Sequence, residues 1–171
     1  MSNDQIRDSI ENAKRYLTEH PAEARYTDRP ATAVIEHGLR CRVESSEGAP
    51  VVTDMPASVG GQASAPSPGW LAQAAQASAD ATVIAMRAAE LGIALQRLEV
   101  TVDSESDDRG LLGMDEATPA GPLSSRVRVR IAAEGVDHER LRELVEWADH
   151  HSPVSDAIRR AVPTTVEVEP L

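Results

Sequence analysis

Residues 65–93 read APSPGWLAQAAQASADATVIAMRAAELGI, and this stretch decides the fold. Ser67 and Pro68 supply a helix N-cap and a first-turn proline, and Gly92 supplies a helix end. Between these signals the sequence is rich in alanine and places apolar residues on more than one face of a helix. The pattern therefore predicts a long helix over residues 69–91 that is buried at the centre of the fold.

Strand patterns lie on both sides of this helix. Before it, apolar and charged residues alternate over residues 39–44, and Gly-Ala-Pro at residues 48–50 predicts the turn of a β-hairpin. After it, residues 98–102, 127–131 and 166–168 each alternate in the same way. Arginines occupy the outer face of the middle segment and carboxylates those of the other two, which favours pairing all three as sheet neighbours.

Further helices are predicted from spacing and capping. Residues 3–19 carry apolar side chains at helical intervals, and Pro21 ends that run. Asp137 can cap a helix that follows it, and a shorter helix is expected over residues 154–160. Because the strands group around the helices rather than alternating strictly with them, the sequence predicts an α+β fold.

Composition narrows the classes of partner. The 171-residue chain has a formal net charge of −11 and a pI near 4.8, so its surface would repel nucleic-acid phosphates, and we expect no nucleic-acid partner. A polar, acidic N-terminus and the lack of a long uncharged apolar run predict no membrane partner and a cytoplasmic location. One cysteine excludes an intrachain disulfide.

A second informative segment is residues 150–163, which read HHSPVSDAIRRAVP. Together with the central helix, it resembles the OsmC and organic-hydroperoxide-resistance (Ohr) family. The resemblance implies an OsmC-like α+β fold, with antiparallel sheets packed around a long central helix in an intertwined homodimer. It assigns residues 31–171 to the OsmC-like domain and leaves residues 1–30 as an N-terminal helix and connector. The markers are Gly60-Gly61, Pro66-Ser67-Pro68, Gly92-Ile93, Arg109-Gly110-Leu111-Leu112-Gly113 and Ser152-Pro153-Val154-Ser155-Asp156.

The reactive groups of that family are missing here. Members typically carry one cysteine in the central helix and a second before a Pro-Val pair, and these positions hold Ala79 and Ser152. The acidic residue expected just before the helix falls on Gly69 or Trp70. Because peroxide reduction by this route needs a thiolate and a resolving thiol, the resemblance implies a protein without peroxidase activity. The sequence leaves open whether Ala79 is natural or engineered.

Other reactive groups favour structural roles. Cys41 alternates with Leu39 and Val43, which predicts a small buried hydrophobe. The acidic run at residues 103–110 lacks the glycine and final glutamate of a calcium loop, and the adjacent histidines at residues 150–151 diverge on a helix. We therefore expect no metal and no cofactor.

Three functions remain open. The leading hypothesis is a non-enzymatic OsmC-like homodimer that binds a small apolar molecule at the subunit interface. The second is a thiol-dependent organic hydroperoxide reductase whose helix cysteine has been replaced by Ala79. The third is a partner-binding protein that uses the amphipathic N-terminal helix. The arginines that could line the site, among them Arg40, Arg42 and Arg109, cannot be ranked from sequence. The predicted ligand-binding residues are Trp70, Ala79, Met86 and Ser152.

Overall fold

A computed structural model describes residues 2–46 and 48–170 and shows an α+β fold. Met1 and Leu171, the outer ends of the two predicted regions, lie outside the described residues. The strands form two antiparallel sheets, one of three strands and one of two, which confirms the predicted fold class. The helices are α1 (Asn3–Glu19), α2 (Pro68–Glu90), α3 (Asp108–Leu111), α4 (His138–His151) and α5 (Pro153–Arg159). The strands are β1 (Thr32–His37), β2 (Arg40–Glu44), β3 (Val51–Thr53), β4 (Leu95–Glu105) and β5 (Ser124–Ala133).

Helix α2 forms where the sequence predicts it and is the centre of the packing. The hydroxyl of Ser67 accepts a hydrogen bond from the backbone N–H of Trp70 at 3.2 Å, so the helix begins at the expected cap. Helices α1, α4 and α5 and strand β4 all pack against α2. The buried aliphatic core joins α2 to the start of the next strand and to α4, through Ile84, Ala88, Ile93, Leu144 and Ala148.

Strands β4 and β5 pair in the register that their charges favour. Asp103 lies opposite Arg126, and Arg126 Nη2 donates to Asp103 Oδ1 at 3.0 Å. Glu99 lies opposite Arg130, with a 2.9 Å hydrogen bond from Arg130 Nη1. These cross-strand pairs confirm the predicted pairing of the first two segments.

The prediction of a third strand at residues 166–168 is wrong. Residues 161–170 have no regular secondary structure, and Val166 is 84% exposed. An alternating segment becomes a strand only when a neighbouring strand supplies hydrogen-bond partners, and no described strand pairs with this one.

The N-terminal sheet is built from β1, β2 and β3. The predicted hairpin is confirmed, because β2 pairs with β3 with Cys41 opposite Thr53. Strand β1 was not predicted from the sequence, and it pairs with the other edge of β2. Every residue of β1 is exposed, and no helix in the described part of the chain packs substantially against this sheet.

Helix α1 packs along the C-terminal half of α2. Its N-terminus carries a capping box, in which Ser2 and Gln5 exchange hydrogen bonds. Asn3 Nδ2 donates to the carbonyl oxygen of Ile93 at 3.0 Å, and Lys14 forms an ion pair with Glu90. Within the described residues, no helix combines the length and the apolar character needed to cross a bilayer.

The loop that joins β3 to α2 is organised around Asp54. This buried carboxylate accepts hydrogen bonds from the backbone N–H groups of Met55, Gln62 and Ser64 and from the Ser64 hydroxyl, at 2.8–3.2 Å. The bonds from Ser64, its backbone N–H first, hold the pKa of Asp54 below its ordinary value. Gly61 packs so closely on this loop that a Cβ built there would lie 1.8 Å from the Met55 carbonyl oxygen.

We expect Gly61→Ala to lower the free energy of unfolding by about 3 kcal/mol, because the new methyl group forces the loop backbone to shift. Urea denaturation followed by circular dichroism measures the change. Gly121→Ala is the matched control, since a Cβ at Gly121 meets no atom within 4 Å. An unfolding free energy of Gly61→Ala equal to that of this control would contradict the close approach.

Candidate functional site

Ser152, the residue at the predicted position of the second thiol, caps helix α5. Its side chain is fully buried, at 0% exposure, and its hydroxyl accepts a 3.4 Å hydrogen bond from the backbone N–H of Ser155. Pro153 occupies the first helical position, where no backbone N–H is needed. The sequence Ser-Pro therefore starts α5 by ordinary capping chemistry, and the hydroxyl of Ser152 has a structural task.

A buried polar cluster fastens α5 to α2. The hydroxyl of Ser155 donates to Asp80 Oδ1 at 2.8 Å, and Gln76 Nε2 donates to the same hydroxyl at 3.2 Å. All three side chains are buried, and Asp80 is only 3% exposed. Among the described residues, Asp80 Oδ2 is the one buried side-chain oxygen or nitrogen without a hydrogen-bond partner. The cluster therefore holds a carboxylate with one satisfied and one unsatisfied oxygen inside the protein.

Sequence reasoning did not find this cluster. Its signal is Asp80, a charged residue in the middle of an alanine-rich helix, with Gln76 one turn before it on the same face. The sequence does not show the partner, because Ser155 lies 75 residues further along the chain.

Ala79, at the predicted position of the helix thiol, is half-buried on α2 next to Asp80. Ser78 is exposed, and its hydroxyl donates back to the carbonyl oxygen of Ala75 at 3.0 Å. Neither the position of Ala79 nor that of Ser78 carries a group that could attack a peroxide.

The four predicted ligand-binding residues do not share one cavity within the described chain. Met86 follows Ala79 by two helical turns on the same face, about 10 Å along the axis. Trp70 precedes Ala79 by about 13 Å and lies on the opposite side of the helix. Trp70 is 53% exposed and lines a separate groove of about 560 Å³ with Met55, Leu111 and others. A pocket that includes all four residues therefore stays a prediction that needs a second chain.

The arginines considered from sequence are held by nearby carboxylates. Arg40 donates to Glu36 at 3.1 Å, and Arg42 donates to Glu44 at 2.9 Å. Arg109 donates hydrogen bonds to the Asp107 carboxylate from its side chain and from its backbone N–H. These bonds, those from the side chain first, lower the pKa of Asp107 to about 2. This pairing organises the loop after β4.

Cys41 and His151 both have neighbours within the fold. Cys41 is half-buried in β2, opposite Ile35 on one neighbouring strand and Thr53 on the other. His151 stacks on Trp147, and its Nδ1 lies 2.7 Å from the Trp147 carbonyl oxygen. Within the described ranges, no three histidine, cysteine, aspartate or glutamate side chains come together as metal ligands would.

Two antiparallel sheets, one of which packs on the long central helix, and a short helix that docks on the same helix through a Ser-Pro start define an α+β protein of OsmC-like architecture. Residues 61–167, more than half of the chain, match the family described as OsmC-like protein. The chain therefore belongs to the OsmC-like family. No curated protein sequence matches it.

Solved structures show the same fold. An organic hydroperoxide resistance protein OsmC from Legionella pneumophila is 24% identical with a TM-score of 0.58, and the match covers 79% of this chain and 91% of that one. An OsmC-like protein from Mycoplasma pneumoniae is 12% identical with a TM-score of 0.68, over 80% of this chain and 91% of its own. A Vibrio cholerae O1 biovar eltor protein with captopril bound in one of its active sites is 24% identical with a TM-score of 0.53, over 80% and 88%.

We expect Ser155→Ala to destabilise the protein by about 1–3 kcal/mol, because it removes the hydroxyl that donates to Asp80 Oδ1 and leaves the buried carboxylate without a donor. Chemical denaturation measures the loss. Ser78→Ala is the control, because its hydroxyl is exposed and bonds only within its own helix turn. Equal stability of Ser155→Ala and Ser78→Ala would show that the Ser155 hydroxyl does not support the fold.

Proposed function

We propose that this OsmC-like protein does not reduce peroxides and binds a small apolar molecule at the interface of a homodimer. The observation that carries the proposal is chemical: α2 and the start of α5 hold a methyl group at Ala79 and a buried hydroxyl at Ser152 where the family resemblance expects two thiols. A hydroxyl without an adjacent base does not replace a thiolate as the attacking group. The chain therefore has the OsmC-like fold but no sulfur atom at either of these two positions.

The exposed N-terminal sheet supports the homodimer. Val34, Ile35 and Leu39 are large apolar side chains of this sheet and its turn, and Ile35 is 59% exposed. Because a small sheet needs packing on one face to be stable, a covering partner is expected. A second copy of the chain is the partner that the family resemblance implies, and Trp70, Ala79, Met86 and Ser152 are the residues proposed for the pocket between the copies.

One of the similar solved structures holds a small molecule, which supports the proposed binding of a ligand. The Vibrio cholerae protein holds captopril in one of its active sites. For this chain, the same region of the fold is proposed to hold an apolar ligand without turning it over. Cytoplasmic location and the lack of nucleic-acid and membrane partners remain part of the proposal, supported by the acidic composition.

The alternative function is a thiol-dependent organic hydroperoxide reductase in which Ala79 replaces the helix cysteine. It is favoured by the Legionella pneumophila neighbour, which is described as an organic hydroperoxide resistance protein.

The third hypothesis, partner binding through the N-terminal helix, is less favoured. Helix α1 already packs on α2, with Ile6 and Ile10 half-buried. Residues 1–30 are therefore proposed as a structural extension of the domain formed by residues 31–171. Deleting residues 1–20 and following the oligomeric state and captured partners tests this, because partners lost with the helix would restore the third hypothesis.

We expect no turnover of cumene hydroperoxide by this protein with dithiothreitol as the reductant, and none by Ala79→Cys, because the candidate arginines Arg40, Arg42 and Arg109 are each paired with a carboxylate and do not stabilise a thiolate at that position. Peroxide consumption is measured against dithiothreitol alone. Ser78→Cys is the matched control, since it places a thiol on the same helix about 100° away. Turnover by Ala79→Cys, absent in Ser78→Cys, would favour the alternative function.

Native mass spectrometry is expected to show a species at twice the 18.3-kDa chain mass that retains a small molecule. Ile35→Glu is expected to shift the dimer to monomer, because it places a charge on the apolar part of the N-terminal sheet. Glu44→Gln, an exposed change on the same sheet, is the control. A wild-type monomer, or a dimer unaffected by Ile35→Glu, would contradict the proposed interface.

A further inference from the structure

A cleft of about 340 Å³ lies between α2, β5 and α4 of a single chain. Its volume is within the range of small-molecule sites. Aliphatic side chains form one part of the lining, and polar side chains form the rest. The lining residues are Asp80, Ile84, Val127, Val129, Val145, Glu146, Asp149 and His150.

The charge of this cleft is negative. Asp149 is neutralised by Arg159 of α5, whose Nη1 lies 2.8 Å from Asp149 Oδ2. Glu146 is exposed, and Asp80 is buried. Asp80 and Glu146 therefore give the cleft an excess of negative charge beside its aliphatic lining.

The hydrogen bonding of Asp80 indicates which kind of ligand the cleft binds. Its Oδ1 is occupied by the Ser155 hydroxyl, whereas its Oδ2 has no hydrogen-bond partner in the described part of the chain. A buried carboxylate oxygen without a donor is unfavourable, and the most effective donor to it is a positively charged N–H group. The buried Asp80 carboxylate therefore lacks one hydrogen-bond donor.

A metal ion does not fit this requirement. The acidic side chains and His150 line the cleft but do not converge as a set of metal ligands among the described residues. A purely apolar ligand does not fit either, because it would leave Asp80 Oδ2 without a donor in a still drier environment. The missing group is a cationic donor attached to an apolar body.

We infer that this cleft binds a primary aliphatic amine in its ammonium form. The ammonium group enters beside the Asp80 carboxylate and donates to Oδ2, which the free protein keeps enclosed, and the alkyl chain packs against Ile84, Val127 and Val129. Glu146 adds long-range attraction for the positive charge. None of the lining residues is among the four proposed for the interface pocket, and the inference does not depend on the proposed function.

The test uses the full-length protein and three six-carbon probes: hexylammonium, hexan-1-ol and hexanoate. Isothermal titration calorimetry measures affinity, and methyl chemical shifts of Ile84, Val127 and Val129 report the position of binding. Hexylammonium is expected to bind saturably at one site per chain and at least about tenfold more tightly than hexan-1-ol, with no binding of hexanoate. Equal binding of hexylammonium and hexan-1-ol, no binding of hexylammonium, or shifts confined to other residues would overturn the inference.

Two variants test whether the carboxylates of Asp80 and Glu146 bind the ammonium group. Asp80→Asn is expected to weaken hexylammonium by about tenfold or more, because the neutral amide loses the charge-assisted hydrogen bond. Glu146→Gln, an exposed change that should leave folding intact, is expected to weaken it about twofold. Glu143→Gln is the matched control on the same helix, since Glu143 pairs with Arg140 and does not line the cleft.

Three outcomes would overturn the inference that the cleft binds an amine. Unchanged affinity in folded Asp80→Asn would overturn the inference; if that variant does not fold, unchanged affinity in Glu146→Gln would do so. Intermolecular contacts from residues 161–170 of a second copy to Val127 and Val129 would also overturn it, by showing that a protein segment fills the cleft. The hydroperoxide assay and the dimer mass test the proposed function through other residues. A negative result in either of them therefore leaves the amine-binding inference unaffected.

Discussion

The burial of helix α2 is the constraint on which the rest of the structure depends. This 23-residue helix has apolar residues around its circumference, so no single neighbour can cover it. The described chain packs α1, β4, α4 and α5 against it and leaves the face that carries Ala75 and Met86 exposed. Strand β4 and helix α4 turn apolar side chains toward α2, and the core residues Leu144 and Ala148 show that α4 is held by that contact. Removing the continuous apolar surface of α2 would leave the flanking elements without a common core.

The exception to this apolar packing explains how α5 is placed. Asp80 is buried in α2, and its bond to the Ser155 hydroxyl ties two segments that are distant in sequence. Dispersion forces alone would let α5 slide along the helix, whereas a buried hydrogen bond has a fixed donor, acceptor and angle. Ser152 reinforces that position by capping α5. The polar groups near the positions where the family resemblance expects thiols therefore fix the position of α5 on α2.

The sequence predicted those elements whose signals are local. Helices α1, α2 and α4 carry caps and periodic apolar residues within a few turns. The limits predicted for α1 and α2 agree with the structure to within one residue, and α4 begins directly after its predicted cap, Asp137. Strand β1 was missed because its residues are exposed on both faces and show no alternation of burial. The segment at residues 166–168 shows the opposite error, since a clear alternation cannot form a strand without a neighbour. The link between Asp80 and Ser155 was out of reach because it depends on how α5 docks in three dimensions.

The distribution of apolar surface separates two kinds of binding site. Within one chain, the cleft beside Asp80 is complete, since three elements of the same chain line it. Trp70, Met86 and the N-terminal sheet instead present apolar side chains to solvent, on surfaces that no described element covers. Large exposed apolar surface on a folded protein usually marks contact with another molecule. If another molecule covers these surfaces, the apolar side chains that the single chain leaves in water become buried, and the hydrophobic effect that organises the core around α2 also stabilises that contact.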